Sequence, residues 1–100
     1  MTANADELVL EREMGCTRAE FLRWLPGATR HAPMRLDADK TVIQLGEGTV
    51  TISFRPAPSR KIALISIPVL MVSFRFLRLD ATARREFMEY FDLYTKRGGG

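Results

Sequence analysis

The sequence predicts an α+β domain in which a single antiparallel sheet of five to six strands carries a short N-terminal helix and a long C-terminal helix. Three observations support this class: several stretches alternate between apolar and polar residues, a helix-capping pattern begins at Thr17, and aromatic residues recur at helical spacing near the C-terminus. The 100 residues are 46% hydrophobic and 27% charged, which is typical of one globular domain. We assign that domain to residues 1–97 and a flexible glycine tail to residues 98–100.

The first strand and the first helix are predicted from residues 8–25. LVLEREM, residues 8–14, alternates with a period of two and predicts a strand. Thr17 and Glu20 then match a capping box, in which each side chain bonds the backbone amide of the other residue. Phe21, Leu22 and Leu25 form the apolar stripe of a short helix, which we expect Pro26-Gly27 to stop.

The centre of the chain predicts a run of antiparallel strands. MRLD and TVIQL flank Ala38-Asp39 in a hairpin, and the Gly46-Glu47-Gly48 segment makes the next turn. TVTISFR, residues 49–55, alternates cleanly, so one of its faces is expected to be buried and the other to meet water.

The segment IALISIPVLMVSF, residues 62–74, is apolar on both faces of an extended chain. We predict a turn at PAPSR (56–60), a strand at KIALISI (61–67), and a further strand at VLMVSFRFLRL (69–79) after a break at Pro68, because proline cannot donate to a central ladder. The segment is shorter than the roughly 20 residues that a transmembrane helix needs. The segment is therefore not expected to span a membrane, and no membrane is among the partners that we favour.

The C-terminal helix is predicted to begin at Asp80 or Thr82 and to run to about Lys96. Its aromatic residues repeat at i, i+3, i+4 and i+7, which places them on one side of a helix facing the core. These residues are Phe87, Tyr90, Phe91 and Tyr94.

The resulting order of a strand, a helix, four or five strands and a long helix resembles the TATA-box-binding-protein-like class of α+β folds. Larger folds related to that class include the helix-grip carriers of lipids and small molecules. The resemblance is one of topology and covers most of the chain. It implies a fold, and a fold does not by itself imply a function.

Residues that could support catalysis or metal binding are few. Cys16 and His31 are the only thiol and imidazole, and no feature of the sequence brings them together. The closely spaced carboxylates, Glu11 with Glu13 and Asp37 with Asp39, lie in a predicted strand and a predicted turn, where a structural role is the simpler interpretation. We therefore predict no enzymatic activity, no metal and no cofactor.

The composition favours a cytoplasmic protein with little affinity for nucleic acid. A single cysteine excludes an internal disulfide, and the first residues, MTANADELVL, lack the basic and long apolar regions of a signal peptide. The 15 basic residues exceed the 12 acidic ones by only three and are scattered along the chain. Arg55 and Arg75, with Trp24 or Phe76 to stack on bases, would be the residues of a nucleic-acid surface, a class that we disfavour.

The doubly apolar strands raise the question of what covers their second face. Ala63, Ile65, Ile67, Val69 and Met71 are predicted to share that face, and leaving them in water would be unfavourable by about 1.5–3 kcal/mol for each large side chain. Three covers are consistent with the sequence: a second copy of the chain, the short helix at residues 21–25, or an external partner such as an apolar ligand, another protein or a membrane surface. We favour the second copy, which makes the protein a homodimer.

The uncovered face and the aromatic helix lead to two possible ways of binding. The first is a non-enzymatic interaction module that homodimerises through its sheet. The second is a small-molecule binder of helix-grip type, with an apolar groove between the C-terminal helix and the sheet. That groove would be lined by Phe74, Phe87 and Phe91.

The residues predicted to bind a ligand or partner lie on the last two central strands. Arg55 and Arg75 are expected to meet an anionic group, and Met71 and Phe74 an apolar one. Ile65 is expected to contribute to the same apolar surface.

Overall fold

The computed structural model describes residues 7–96, so the predicted glycine tail lies outside the described residues. Within that range the chain has five strands and two helices, which confirms the α+β class with one antiparallel sheet. The elements are β1 (Glu7–Met14), α1 (Arg18–Ala28), β2 (Met34–Asp37), β3 (Lys40–Leu45), β4 (Gly48–Ile62), β5 (Ile65–Leu77) and α2 (Ala81–Lys96).

The strand order across the sheet is β1-β5-β4-β3-β2, and every neighbouring pair is antiparallel. β4 and β5 are the longest strands, with 15 and 13 residues. The predicted β2–β3 hairpin is confirmed, with Ala38 at a φ of 54° in its turn. The sheet therefore has a long central hairpin flanked on both sides by shorter strands.

The start of α1 forms as predicted, whereas its end does not. The Glu20 amide donates to Thr17 Oγ1 at 3.1 Å, and the Thr17 amide donates to Glu20 Oε1 at 2.9 Å, which completes the capping box. The predicted stop at Pro26-Gly27 is wrong, because the helix continues through both residues to Ala28. Proline removes a single amide donor, and Gly27 lets α2 approach closely, since a Cβ there would overlap the Tyr94 ring.

Both helices pack on one face of the sheet, which we call the covered face. All six phenylalanines belong to the core on this side. Phe74 meets Phe91 edge to face, and Phe21 packs against Phe54, each pair with ring centroids 4.9 Å apart. The space between α2 and the sheet, predicted as a groove lined by phenylalanines, is thus filled by the rings themselves.

The central hairpin differs from the prediction at all three of its prolines, which are Pro56, Pro58 and Pro68. PAPSR is not a turn but part of β4, and Pro68 does not end a strand but lies within β5. Pro56 lies in the ladder opposite Leu70, and a shift of register between Ala57 and Arg60 accommodates Pro58 and Pro68, because a β-bulge leaves one residue outside the ladder. The chain reverses instead at Ala63-Leu64, with Ala63 at a φ of 55°.

As a consequence, the central hairpin projects beyond the rest of the sheet. β1 pairs with β5 only as far as Leu70, and β3 pairs with β4 only as far as Ser53. From Ala57 to Val69 the two long strands pair only with each other. We call this two-stranded projection, residues 57–69, the arm.

Candidate functional site: the open face and the arm

The face of the sheet opposite the helices, which we call the open face, carries mostly polar side chains at its centre. The strand register aligns them in rows that run across the sheet. The polar side chains of residues 49–55 on this face confirm the prediction that one face of that strand meets water. One row consists of Glu11, Ser73, Ser53, Lys40 and Asp37, and the next consists of Val9, Arg75, Thr51, Val42 and Arg35.

Charge is distributed unevenly across the open face. The acids Glu11 and Glu13 are on β1, and the bases Arg55 and Lys40 are on β4 and β3. On β5, the strand between them, the residue beside Glu11 is Ser73 and the residue beside Glu13 is Met71, and both are uncharged. A shallow depression of about 570 Å³ lies between the acidic and the basic sides. The open face is therefore acidic at Glu11 on β1, basic at Arg55 and Lys40 on β4 and β3, and acidic again at Asp37 on the edge strand β2.

The arm continues the open face as an apolar stripe. Ala57 pairs with Val69, Arg60 with Ile67, and Ile62 with Ile65, so all six residues share the open side of the arm. The opposite side carries Lys61, paired with Ser66. The prediction that Ile65, Ile67, Val69 and Met71 share a face is confirmed, whereas Ala63 lies in the turn rather than on that face.

The stripe is most exposed at the tip of the arm. Ile62 is 55% exposed, Ile65 is 63% exposed, and Leu64 in the turn is fully exposed. Towards the body of the protein, Arg60 forms an ion pair with Glu13 on β1. Because β5 lies between β4 and β1, the Arg60 side chain reaches Glu13 by crossing β5 near Val69, which is only 8% exposed. The Arg60–Glu13 pair therefore covers the base of the stripe and leaves its tip in water.

The position of α1 removes one of the three predicted covers. Phe21 and Leu25 are buried in the core on the covered face, and Phe21 packs against both Phe54 and Phe91. The prediction that the short helix lies over the second face of the apolar strands is therefore wrong. The contact between Phe21 and Phe91 shows that α1 lies on the same side of the sheet as α2.

Four of the five residues predicted from the sequence to form a binding surface lie along the open side. Arg55 and Met71 line the depression, and Arg75 is in the neighbouring row. Ile65 is at the tip of the arm, ten residues along β5 from Arg75, which corresponds to about 33 Å. Phe74, in contrast, is fully buried on the covered face, so the structure does not bring it together with the others.

The exposure of Ile62 and Leu64 was missed in the sequence. Their position depends on the turn at Ala63-Leu64, which contains none of the glycine or asparagine residues that mark two-residue hairpins. The prolines on either side gave a stronger but misleading turn signal. The long apolar run was the remaining sign that these residues form a surface.

Cys16 is placed where its thiol is a poor nucleophile. The side chain is 1% exposed, and burial, with a smaller contribution from the Glu20 carboxylate, raises the pKa of the thiol from 9.0 to about 11. Because the thiolate is the reactive form, this environment lowers its reactivity at neutral pH. Over residues 7–96, no three His, Cys, Asp or Glu side chains cluster closely enough to hold a metal ion. None of the described helices is long and apolar enough to cross a membrane.

A second concave surface lies at the end of the molecule away from the arm. This groove of about 910 Å³ lies between the end of α1, the β3–β4 turn and α2. The Arg30 guanidinium stacks over the Tyr90 ring at 4.1 Å and narrows one side of it. Its apolar lining consists of Ala28, Ala32, Leu45, Leu79, Ala83, Phe87 and Leu93.

Comparison with known proteins gives no further assignment of this surface. No family model matches the chain, and no curated protein or solved structure is significantly similar to it. The physical properties of the open face, the arm and the groove are thus the basis for a functional proposal.

Proposed function

We propose that this chain is a non-enzymatic interaction module that homodimerises through its open face and arm. The observation that carries the proposal is the apolar stripe of the arm, which ends in Ile62, Leu64 and Ile65 exposed to water. A contiguous exposed apolar surface is typical of a protein–protein contact. A second copy offers the same stripe, and a two-fold contact buries both stripes at once.

The open side is large enough for a stable dimer. Four strands spaced ~4.8 Å apart over about 25 Å, with a two-stranded arm about 20 Å longer, span a flat area of about 670 Å². Stable interfaces bury about 800 Å² of accessible surface on each partner. Because side chains make the real surface rougher than its flat projection, the two areas are comparable.

Sedimentation velocity at micromolar concentration tests the proposal. The expected mass is twice the chain mass of 11.3 kDa. We expect the double variant Ile62→Ser/Ile65→Ser to sediment as a monomer. The matched control is Leu93→Ser, which changes an exposed apolar residue on α2 and is expected to leave the dimer intact. A monomeric wild-type protein at these concentrations would contradict the proposal.

A small-molecule binder of helix-grip type is the second candidate, and the groove between α1 and α2 favours it. Its volume of about 910 Å³ is in the range of ligand pockets, about 300–1,000 Å³. The resemblance to the TATA-box-binding-protein-like and helix-grip folds remains a prediction from topology. This candidate places the ligand at one end of α2 rather than among the core phenylalanines.

Fluorescence of 1-anilinonaphthalene-8-sulfonate tests this second candidate. Ala83→Phe would fill the groove from α2 and is expected to abolish enhanced fluorescence of the dye. Ala81→Phe, on the exposed first turn of the same helix, is the matched control. Equal fluorescence of both variants would show that the dye binds elsewhere.

The proposed localisation is the cytoplasm, and a nucleic-acid partner remains disfavoured. The Glu11 carboxylate would repel phosphate groups at the same surface that presents Arg55. An electrophoretic shift of a DNA or RNA duplex at low salt would contradict this expectation.

A further inference from the structure

We infer that the two-fold axis of the dimer runs parallel to the strands, between β4 and β5, so that the two arms lie side by side. This inference rests on the proposed function, since it describes how the second copy is placed on the open face. It names the contacts of the interface and the direction in which both arms point.

Symmetry limits the choice of axis. For two sheets to meet face to face, the two-fold axis must lie in the plane between them. Its two limiting directions in that plane are along the strands and across them. An axis along the strands keeps the arms pointing the same way, whereas an axis across the strands points them in opposite directions.

The charges of the open face favour the axis along the strands. Turning the sheet about a line between β4 and β5 places β1 of one copy over β3 of the other. Glu11 then faces Lys40 of the second copy, in the row that both residues share, while Asp37 at the end of that row on β2 lies beyond the edge of β1 of the second copy. An axis across the strands along that row would instead place Glu11 opposite itself and Lys40 opposite itself, and like charges across an interface are unfavourable.

The apolar residues favour the same axis. The rotation exchanges β4 with β5, so Ile65 at the exposed tip of the arm faces Ile62 of the second copy. At the other end of the sheet, Val9 on β1 faces Val42 on β3. With the axis across the strands at the level of Ser53, both arms would extend past the partner and leave their tips in water.

Charge reversal tests the contact between Glu11 and Lys40. We expect Glu11→Lys and Lys40→Glu each to raise the dimer dissociation constant about 10-fold, because each creates two like-charge contacts per dimer. The double variant restores both attractions and is expected to return to within about 3-fold of wild type.

The design separates contacts between copies from those within one chain. Glu11 and Lys40 are three strand spacings apart, ~14 Å, which exceeds the Debye length of ~8 Å at physiological salt. Rescue in the double variant therefore reports a contact between copies. Glu89→Lys, on the exposed side of α2, is the control for the change in net charge and is expected to leave the dissociation constant unchanged.

The distance between the two arm tips is the deciding measurement. A nitroxide attached through Leu64→Cys is expected to give a distance below about 25 Å for side-by-side arms, against about 60 Å for an axis across the strands at Ser53. The buried Cys16, with its pKa raised to about 11, should not be labelled at neutral pH. Ser59→Cys, also exposed on the arm, provides a second label position that leaves Leu64 in place.

The outcomes distinguish this inference from the proposed function. A dimer with short distances between labels and rescue by the double variant supports both. A dimer with a long distance, or without rescue, overturns the parallel axis and leaves the homodimer standing. A monomeric wild-type protein overturns both.

Discussion

Replacing Ile65 by alanine is the most direct quantitative test of the arm as an interface. Ile65 is at the tip of the arm on its open side, 63% exposed, and pairs with Ile62 across the turn. It contributes little to the core of the monomer. If a second copy covers it, truncation should weaken the dimer far more than it destabilises the fold.

The magnitude follows from the area that the second copy would remove from water. Complete burial of an isoleucine side chain contributes about 1.5–3 kcal/mol. Scaled by the 63% that the monomer leaves exposed, one side chain contributes about 1–2 kcal/mol. Each dimer contains two copies, so Ile65→Ala should cost about 2–4 kcal/mol of association free energy, which raises the dissociation constant about 30- to 900-fold.

Sedimentation equilibrium over a dilution series measures the dissociation constant, and urea unfolding of dilute protein measures the stability of the monomer. Leu93→Ala is the matched control, since Leu93 is 51% exposed on α2, and it is expected to leave the dissociation constant within a factor of two or so. A change of less than about 3-fold for Ile65→Ala, with a dimeric wild type, would refute the role of the arm tip in the interface.

Three further predictions concern the fold and are measured by urea unfolding. Gly48→Ala should lower the free energy of unfolding by about 3 kcal/mol, because its Cβ would overlap the backbone carbonyls at the end of β5. The control Gly15→Ala should lower it much less, since a Cβ at Gly15 would be 3.6 Å from its nearest neighbour. Equal losses of stability in the two variants would contradict the packing argument. Ala38→Gly should stabilise the protein by about 1 kcal/mol, because Ala38 has a φ of 54° that glycine adopts without strain. Ala83→Gly within α2, where the backbone is helical, should instead destabilise it by a similar amount. A loss of stability in Ala38→Gly would show that the turn is not strained. The thiol pKa of Cys16 is raised from 9.0 to about 11, so the contribution of the buried thiol to stability is fully present below pH 9 and is lost as the pH rises from 9 to 11. Relative to Cys16→Ala, the wild type should therefore lose stability over that interval. Parallel pH profiles of stability for the two proteins would exclude a raised pKa.

Much of the fold was predictable from the sequence because its signals are local. The capping box at Thr17 and Glu20 needs only neighbouring backbone groups, and the alternation of residues 49–55 directly shows which side chains share a face. The aromatic stripe of the last helix follows in the same way from helical spacing. Each of these features involves residues close together in the chain, so their patterns alone were sufficient.

The candidate site was predictable only in part. The two apolar faces of residues 62–74 predicted an apolar second face, and Arg55, Arg75, Met71 and Ile65 do lie on the open side. The sequence prediction grouped Phe74 with them, although Phe74 and Met71 are three residues apart in one strand and so point to opposite faces. The alternation of β5 explains the separation, because successive side chains point to opposite faces.

The sequence by itself determined the α+β class, the pairing of β2 with β3, and the buried face of residues 49–55. Only the tertiary structure decided that the chain turns at Ala63-Leu64 rather than at its prolines, and that α1 packs beside α2. The physical reason is that proline and glycine disfavour certain conformations by only a few kcal/mol. A bulge in a two-stranded arm and close packing against Tyr94 offset these penalties, and both depend on residues distant in the chain.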